Sequence, residues 1–179
     1  MLVKNTTYFF FILLISSAIV GCKKSPNYSV VPAITFENLR VVHDYVNYTD
    51  SVSITIGFKD GDGNLGNDPT NPAFIDYYVD IYKKTNGVFV RMTYFDNTPL
   101  GYNGYLPLLS PYNVTGPTDG TITNIVAPFD APLPIGTPAP PTAPFQKDDT
   151  IRFQVQIRDR ANNYSNWVET TEYVVWGVF

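Results

Sequence analysis

The sequence has little of the chemistry on which most enzymes depend. It has one cysteine, Cys22, so no disulfide can form within the chain. Its one histidine, His43, is next to Asp44, and we expect the pair to hydrogen-bond in a loop before the second strand rather than to activate a nucleophile. The sequence has neither a lipase-type Gly-x-Ser-x-Gly motif nor a phosphate-binding glycine loop. We therefore do not expect an enzyme.

Basic residues and helical periodicity are also scarce. Twelve lysines and arginines stand against sixteen acidic residues, which gives a formal net charge of −4. Proteins that bind nucleic acid carry basic patches, so we expect no nucleic-acid partner. No segment sustains an apolar period of 3.6 residues, whereas proline, tyrosine and phenylalanine are abundant. This composition favours strands and ordered loops over helices.

The N-terminus carries one apolar run, from Tyr8 to Val20, preceded by Lys4. The run is too short to cross a bilayer comfortably as a helix, but it fits the apolar core of a secretory signal peptide. It ends in Ile19-Val20-Gly21-Cys22, which resembles the lipobox of bacterial lipoproteins. The resemblance implies cleavage before Cys22, a diacylglycerol thioether on its sulfur and acylation, typically palmitate, of the new amine.

These features predict three regions. They are a lipoprotein signal peptide (1–21), a lipidated cysteine with its tether (22–31) and one folded domain (32–179). Acyl chains on Cys22 would anchor the protein to a membrane in the cell envelope. An aspartate directly after the lipidated cysteine resembles an inner-membrane retention signal, but here that residue is Lys23. We therefore expect the protein to be anchored in the outer membrane, with its domain on the periplasmic or the external face.

Period-two alternation of apolar and polar residues recurs along the rest of the chain. The clearest examples are Val52 to Phe58, Phe74 to Lys83 and Ile151 to Ile157. Asn86-Gly87 predicts a hairpin turn, Thr121 to Ala127 a weaker strand, and the segment from Trp167 to Trp176 the last strand. About seven such strands predict an all-β domain, a single antiparallel β-sandwich of immunoglobulin or fibronectin type III kind, with a jelly roll as the alternative. We expect a monomer.

Two long loops interrupt this pattern, 96–120 and the proline-rich 128–144, which we expect to be an extended surface loop. If successive strands alternate in direction, the polar loops 60–72, 96–120 and 159–166 lie at one end of the domain. The tether enters at the same end.

The stretch GFKDGDGNLGNDP, residues 57–69, and the later loop 159–166 concentrate oxygen-bearing side chains at that end. Calcium takes six to eight oxygen ligands, so a cation could bind here. The candidate ligands are Asp60, Asp62, Asn64, Asp159 and Asn162. An EF-hand is excluded because Leu65 stands where its glycine is required. The alternative is an elaborate turn in which Asp and Asn cap backbone groups without an ion.

The motifs DGDGNLG and IRDRANNYSN, each next to a strand, resemble a pattern in Bacteroidetes-type lipoproteins that have an immunoglobulin-like sandwich and mostly unknown function. The DRANN stretch is also similar to the Asp-x-Ala-Gly-Asn turn of bacterial immunoglobulin-like domains, some of which hold calcium between loops. Here Asn162 replaces the glycine, and asparagine tolerates the left-handed conformation of a tight turn.

Aromatic residues are more abundant than a core of this size requires. We expect Tyr77, Phe153 and Trp167 in the core. Three tyrosines in the long loop, Tyr102, Tyr105 and Tyr112, could present flat faces to a sugar or a partner protein, or pack over the edge of the domain. Two functions follow: a structural or protein-interaction lipoprotein, or a glycan-binding accessory lipoprotein that uses these tyrosines.

Overall fold

The computed structural model describes residues 25–45, 49–67, 75–92, 103–109, 115–129, 145 and 147–176. Every regular element among these residues is a strand, and none is a helix, as the sequence predicts. The strands are β1 (Ala33–Asp44), β2 (Thr49–Asp60), β3 (Tyr77–Thr85), β4 (Val88–Arg91), β5 (Thr118–Phe129), β6 (Thr150–Ile157), β7 (Val168–Glu169) and β8 (Tyr173–Val174). The described part of the chain contains no helix long and apolar enough to span a membrane.

The first sheet has the order β1-β2-β5, and both pairings are antiparallel. The central strand β2 buries Val52, Ile54 and Ile56 on one face and directs Ser53 and Thr55 outwards. On the outer face, the hydroxyl of Thr55 lies 2.9 Å from that of Thr123 on β5. Alternate residues of a strand point to opposite faces, so this strand buries one face and exposes the other.

The second sheet has the order β4-β3-β6-β7, and β8 also pairs with β6. All its pairings are antiparallel. The last strand, predicted as one segment, is divided into β7 and β8. Between them, Thr170 accepts a hydrogen bond from Phe153 N through its hydroxyl and donates its own N–H to Phe153 O, at 3.0 Å each. The Thr170 hydroxyl thus takes the place of a backbone acceptor in the ladder, and the strand is interrupted there.

Apolar side chains from both sheets meet in one hydrophobic cluster. The predicted alternation of β6 is confirmed, because Ile151, Phe153, Val155 and Ile157 are all fully buried. Tyr77 is fully buried as well. The remaining members of the cluster are Ile34, Val52, Ile54, Ile56, Phe58, Leu65, Val79, Ile81, Leu106, Ile122, Val126, Phe145, Tyr173 and Val175.

Two predictions about individual residues are wrong. Trp167 is 44% exposed rather than part of the core, since it precedes β7 on the loop from β6. His43 and Asp44 lie in β1, which is longer than expected, and not in a loop. They pair with Asp50 and Thr49 of β2, so the hydrogen-bond partner of His43 is Asp50 across the ladder.

The strand directions bring the polar loops to one end of the domain, as the sequence predicts. The loop after β2 contacts the N-terminal segment through Gly61 N and Ser29 O, 2.8 Å apart. The same loop pairs with the residues after β6 through a bridge between Leu65 and Asp159. We call this the tether end. The opposite end, which we call the far end, carries the Asn86-Gly87 hairpin and the junction of β1 with β2.

Candidate metal centre

The loop that follows β2 curls sharply because two of its glycines adopt positive φ angles. Gly63 has φ 69° and Gly66 has φ 77°, in the left-handed region that favours glycine. A Cβ atom on Gly63 would lie 2.6 Å from Gly116 O, and one on Gly66 would lie 2.0 Å from Pro107 O. Neighbouring backbone therefore leaves no space for a side chain, and the curled loop directs Asp60, Asp62 and Asn64 towards one another.

The residues after β6 close this loop from the other side. Arg160 N donates to Asn64 O at 3.2 Å, and the Arg160 guanidinium donates to the carbonyls of Leu65 (3.3 Å) and Gly66 (2.8 Å). These contacts place Asp159 beside the loop. One carboxylate oxygen from each of Asp60, Asp62 and Asp159 lies within 4.8 Å of the others. Three predicted ligands from two distant segments are thus brought together.

The oxygens of this cluster are only partly satisfied by hydrogen bonds. Asp60 Oδ2 accepts the Asn64 N–H at 2.9 Å, and Asp62 Oδ2 accepts the side-chain N–H of Asn64 at 2.8 Å. The Oδ1 atoms of Asp60, Asp62 and Asn64 are buried and have no hydrogen-bond partner. Asp60 is fully buried as a residue. Three buried oxygens from one loop are therefore without a donor.

This environment changes the acidity of Asp60. The pKa of Asp60 is raised from 3.8 to about 6, mainly by burial and next by the nearby carboxylate of Asp62. The Asn64 N–H opposes this shift, and Asp159 adds to it. The charged form of Asp60 is thus disfavoured by its position, which a bound cation would reverse.

Asp159 and Asn162 have different roles in the second loop. Asp159 is fully buried, and its two oxygens accept hydrogen bonds from the N–H (2.7 Å) and the side chain (2.8 Å) of Asn163. Asn162 has φ 67° and an exposed side chain, and its N–H donates to Asp159 O at 3.2 Å. Asn162 is therefore part of the turn. Asn163, which the sequence analysis did not single out, is the residue that orients Asp159.

The other predicted site residues are only partly described. Tyr105 is 51% exposed, and its loop is held at the tether end through Leu106, whose N–H is hydrogen-bonded to the buried carboxylate of Asp76. Tyr102, Tyr112 and Cys22 lie outside the described residues.

A second polar cluster lies at the far end, and the sequence analysis missed it. The fully buried Asp50 carboxylate contacts His43 Nδ1 at 2.6 Å and accepts hydrogen bonds from the Tyr173 hydroxyl and from Trp176 N at 3.0 Å. The ring of Trp176 lies 5.0 Å from that of His43 and 4.9 Å from that of Tyr45. Tyr173 and Trp176 are more than a hundred positions from Asp50 in the chain, so no local pattern could have indicated the cluster.

Comparison with known proteins adds little. No protein-family model matches the sequence, and no curated protein matches it. One similar solved structure is the crystal structure of a Bordetella pertussis protein designated ApaA. It shares 13% sequence identity, the match covers 86% of this chain and 97% of that one, and the TM-score is 0.30. So low a score carries no information about the fold or the function of this chain.

Proposed function

We propose that the protein is a non-catalytic lipoprotein of the cell envelope, whose domain is an immunoglobulin-like β-sandwich that acts as a structural or protein-interaction module. The observation that carries the domain type is the strand order. The sheets β1-β2-β5 and β4-β3-β6-β7 correspond to A-B-E and C′-C-F-G of an immunoglobulin-like sandwich, with β7 and β8 sharing the place of strand G. The jelly roll is less consistent with this order.

The position of the N-terminal segment supports the anchoring part of the proposal. Residues 25–32 lead into β1 at the tether end, where Ser29 O accepts the Gly61 N–H and the Tyr28 hydroxyl donates to Asp119 at 3.1 Å. A lipid on Cys22 would therefore hold the domain by this end, at the outer membrane. The far end, with Tyr45 67% exposed beside Trp176, would project away from the membrane and be free to meet a partner.

The surroundings of the acidic residues support a non-catalytic role. Glu169 is paired with Arg152 at 2.8 Å, and Glu172 with Lys84 at 3.0 Å, so each glutamate forms an ion pair with a basic side chain. His43 is held by the buried Asp50, and its contacts fix a ring within an aromatic group. These contacts support a structural role for His43 at the far end.

A glycan-binding accessory lipoprotein is the second candidate, and the exposure of Tyr105 favours it. Aromatic faces that are half exposed stack well on sugar rings. A screen of the purified protein against polysaccharides separates the two candidates. Binding that is lost in Tyr105→Ala would favour the glycan function, and binding that persists in this variant would direct attention to the aromatic group at the far end.

The anchor is tested by expressing the full-length protein in a bacterium and labelling it with a palmitate analogue. Wild type should carry the label and sediment with the membrane fraction, because acyl chains contribute about 0.8 kcal/mol for each buried methylene group. Cys22→Ala should lose both properties, whereas Ser25→Ala should retain them. Label and membrane association that persist in Cys22→Ala would refute the lipoprotein assignment.

A further inference from the structure

We propose that the Asp60–Asp62–Asn64–Asp159 cluster binds one calcium ion, which fastens the loop after β2 to the loop after β6. This inference is independent of the lipid anchor and of any partner. It would hold for a domain with a purely structural role, and a negative result would leave the proposed function standing.

The carboxylate of Asp60 is buried and only partly compensated. Its side chain is fully buried, yet Oδ1 has no hydrogen-bond donor. A buried carboxylate without compensation is strongly disfavoured, and folded proteins rarely retain one unless a cation or a set of donors offsets the cost. Asp60 is therefore more than a member of an acidic cluster, because it is fully buried, has one oxygen without a donor and contributes a carboxylate oxygen to the group of three.

Asn64 has used its donors on other oxygens of the cluster. The N–H and the side-chain NH₂ of Asn64 donate to the Oδ2 atoms of Asp60 and Asp62. The Oδ1 atoms of the same two carboxylates, together with Asn64 Oδ1, remain without partners. A turn that capped itself would direct these oxygens to N–H groups. Instead, one carboxylate oxygen from each of Asp60, Asp62 and Asp159 lies within 4.8 Å of the others.

The ligand atoms of the cluster favour calcium over other metal ions. All the candidate side-chain ligands are carboxylate or amide oxygens, and none is a nitrogen or a sulfur. Zinc and other transition metals favour histidine and cysteine, whereas calcium takes six to eight oxygens, including amides, backbone carbonyls and waters, in flexible geometry. Magnesium requires a near-ideal octahedron and keeps several waters, which a site built from two separate loops does not favour.

An ion in the cluster would also affect the rest of the tether end. Besides Asp159, the loop after β2 contacts the N-terminal segment through Gly61 N and residues 115–117 through Asp62 O, which accepts the Gly116 N–H at 3.2 Å. An ion that removes the repulsion inside this loop stabilises every segment bonded to it. Calcium would thus rigidify the end by which the domain is tethered.

The test uses the full-length protein in detergent, with thermal unfolding followed in calcium, in magnesium and in chelator. With calcium at roughly 100 times its dissociation constant, which for extracellular modules means about 10 mM or more, the melting temperature of wild type should rise by about 5 °C or more. A wild-type melting temperature that does not respond to calcium would overturn the proposal. A rise in magnesium equal to that in calcium would overturn the choice of ion.

Asp60→Asn locates the site. The new NH₂ group would take the place of the unpartnered oxygen and could donate to Asp62, so this variant should melt above wild type in chelator and lose its response to calcium. Asp119→Asn, which removes an exposed carboxylate at the same end, should keep the wild-type response. If Asp60→Asn melts below wild type in chelator and still responds to calcium, the loop is a self-capped turn and the proposal fails. Asp62→Asn provides the same comparison if Asp60→Asn does not fold.

Discussion

Asp50 and Asp60 are both fully buried carboxylates, but they differ in how many hydrogen-bond donors surround them. Asp50 is surrounded by groups that can donate hydrogen bonds, from His43, Tyr173 and Trp176. Asp60 receives one backbone donor and faces two other carboxylates. The first arrangement stabilises the folded domain as it stands, while the second leaves negative charge that only a proton or a cation can compensate.

The Asp50 cluster gives a prediction for Tyr173→Phe. This change removes a hydroxyl donor from a buried carboxylate, and hydrogen bonds to charged groups contribute about 1.5–3 kcal/mol to stability. We expect a loss of this size in the free energy of unfolding, measured by urea denaturation at neutral pH. Tyr45→Phe is the control, since Tyr45 is exposed and its change should stay within about 0.5 kcal/mol. Equal stabilities of the two variants would contradict the role given to Asp50.

Asp76 gives a prediction about pH. Burial raises the pKa of Asp76 from 3.8 to about 6, although the Leu106 N–H and Arg158 oppose the shift. A carboxyl whose pKa is higher in the folded state binds its proton more tightly there than in the unfolded chain. Its contribution to stability therefore increases as the pH falls from neutral through 6, and is lost as the pH rises again.

Asp76→Asn should remove this contribution. Between about pH 7.5 and pH 5, in chelator, a carboxyl with these two pKa values gains about 1 kcal/mol of stability. The stability change over this range should therefore be smaller in Asp76→Asn than in wild type by that amount, as measured by urea denaturation at both pH values. Parallel pH profiles for the two proteins would show that Asp76 does not titrate in this range.

Among the elements, the strands with the clearest alternation are those whose burial follows the sequence most closely. On β2 and β6 every second residue is buried, and these strands lie at the centres of the two sheets. The weaker signal of β5 corresponds to an edge strand that nevertheless extends from Thr118 to Phe129. Ile125 of β5 is 66% exposed, so an apolar residue in this strand does not by itself indicate the buried face.

The proline-rich segment gives a prediction at the same scale. Most of 128–144 lies outside the described residues, but described residues on both sides of it are bonded at the far end. Phe129 pairs with Asp50, Asp50 accepts the N–H of Trp176, and Val175 O accepts the N–H of Asp148 at 2.8 Å. The closure of this loop is therefore determined by the core and not by the length of the segment.

Replacing residues 131–143 with about six glycine and serine residues should therefore leave the domain folded. Halving a flexible loop changes its closure free energy by only about 0.6 kcal/mol. The unfolding transition, followed by circular dichroism, should stay cooperative with little change in midpoint. Phe153→Ala, which truncates a fully buried side chain, should by contrast lower the free energy of unfolding by about 3–5 kcal/mol. A shortened protein as unstable as Phe153→Ala would mean that the proline-rich segment is part of the core.

At the scale of the whole molecule, the alternating strands separate two kinds of polar cluster. The tether end holds the carboxylates that we propose as a calcium site, and the far end holds the Asp50 group with its aromatic neighbours. Tyr105 belongs to the tether end, where a lipid on Cys22 would bring the membrane near. If the protein is anchored as we propose, a large partner would reach the far end more easily than Tyr105.

The sequence by itself determined the all-β class, the faces of the central strands and the meeting of the polar loops at one end. These depend on period-two alternation and on strand direction, which are local properties of the chain. Tertiary structure alone decided that Trp167 is exposed, that His43 is bonded to Asp50 and that Asn163 rather than Asn162 orients Asp159. It also decided which oxygens of Asp60, Asp62 and Asn64 lack donors. The physical reason is that burial and hydrogen-bond satisfaction depend on segments far apart in the chain, and the position of a residue in its own strand or turn does not specify which distant groups will surround it.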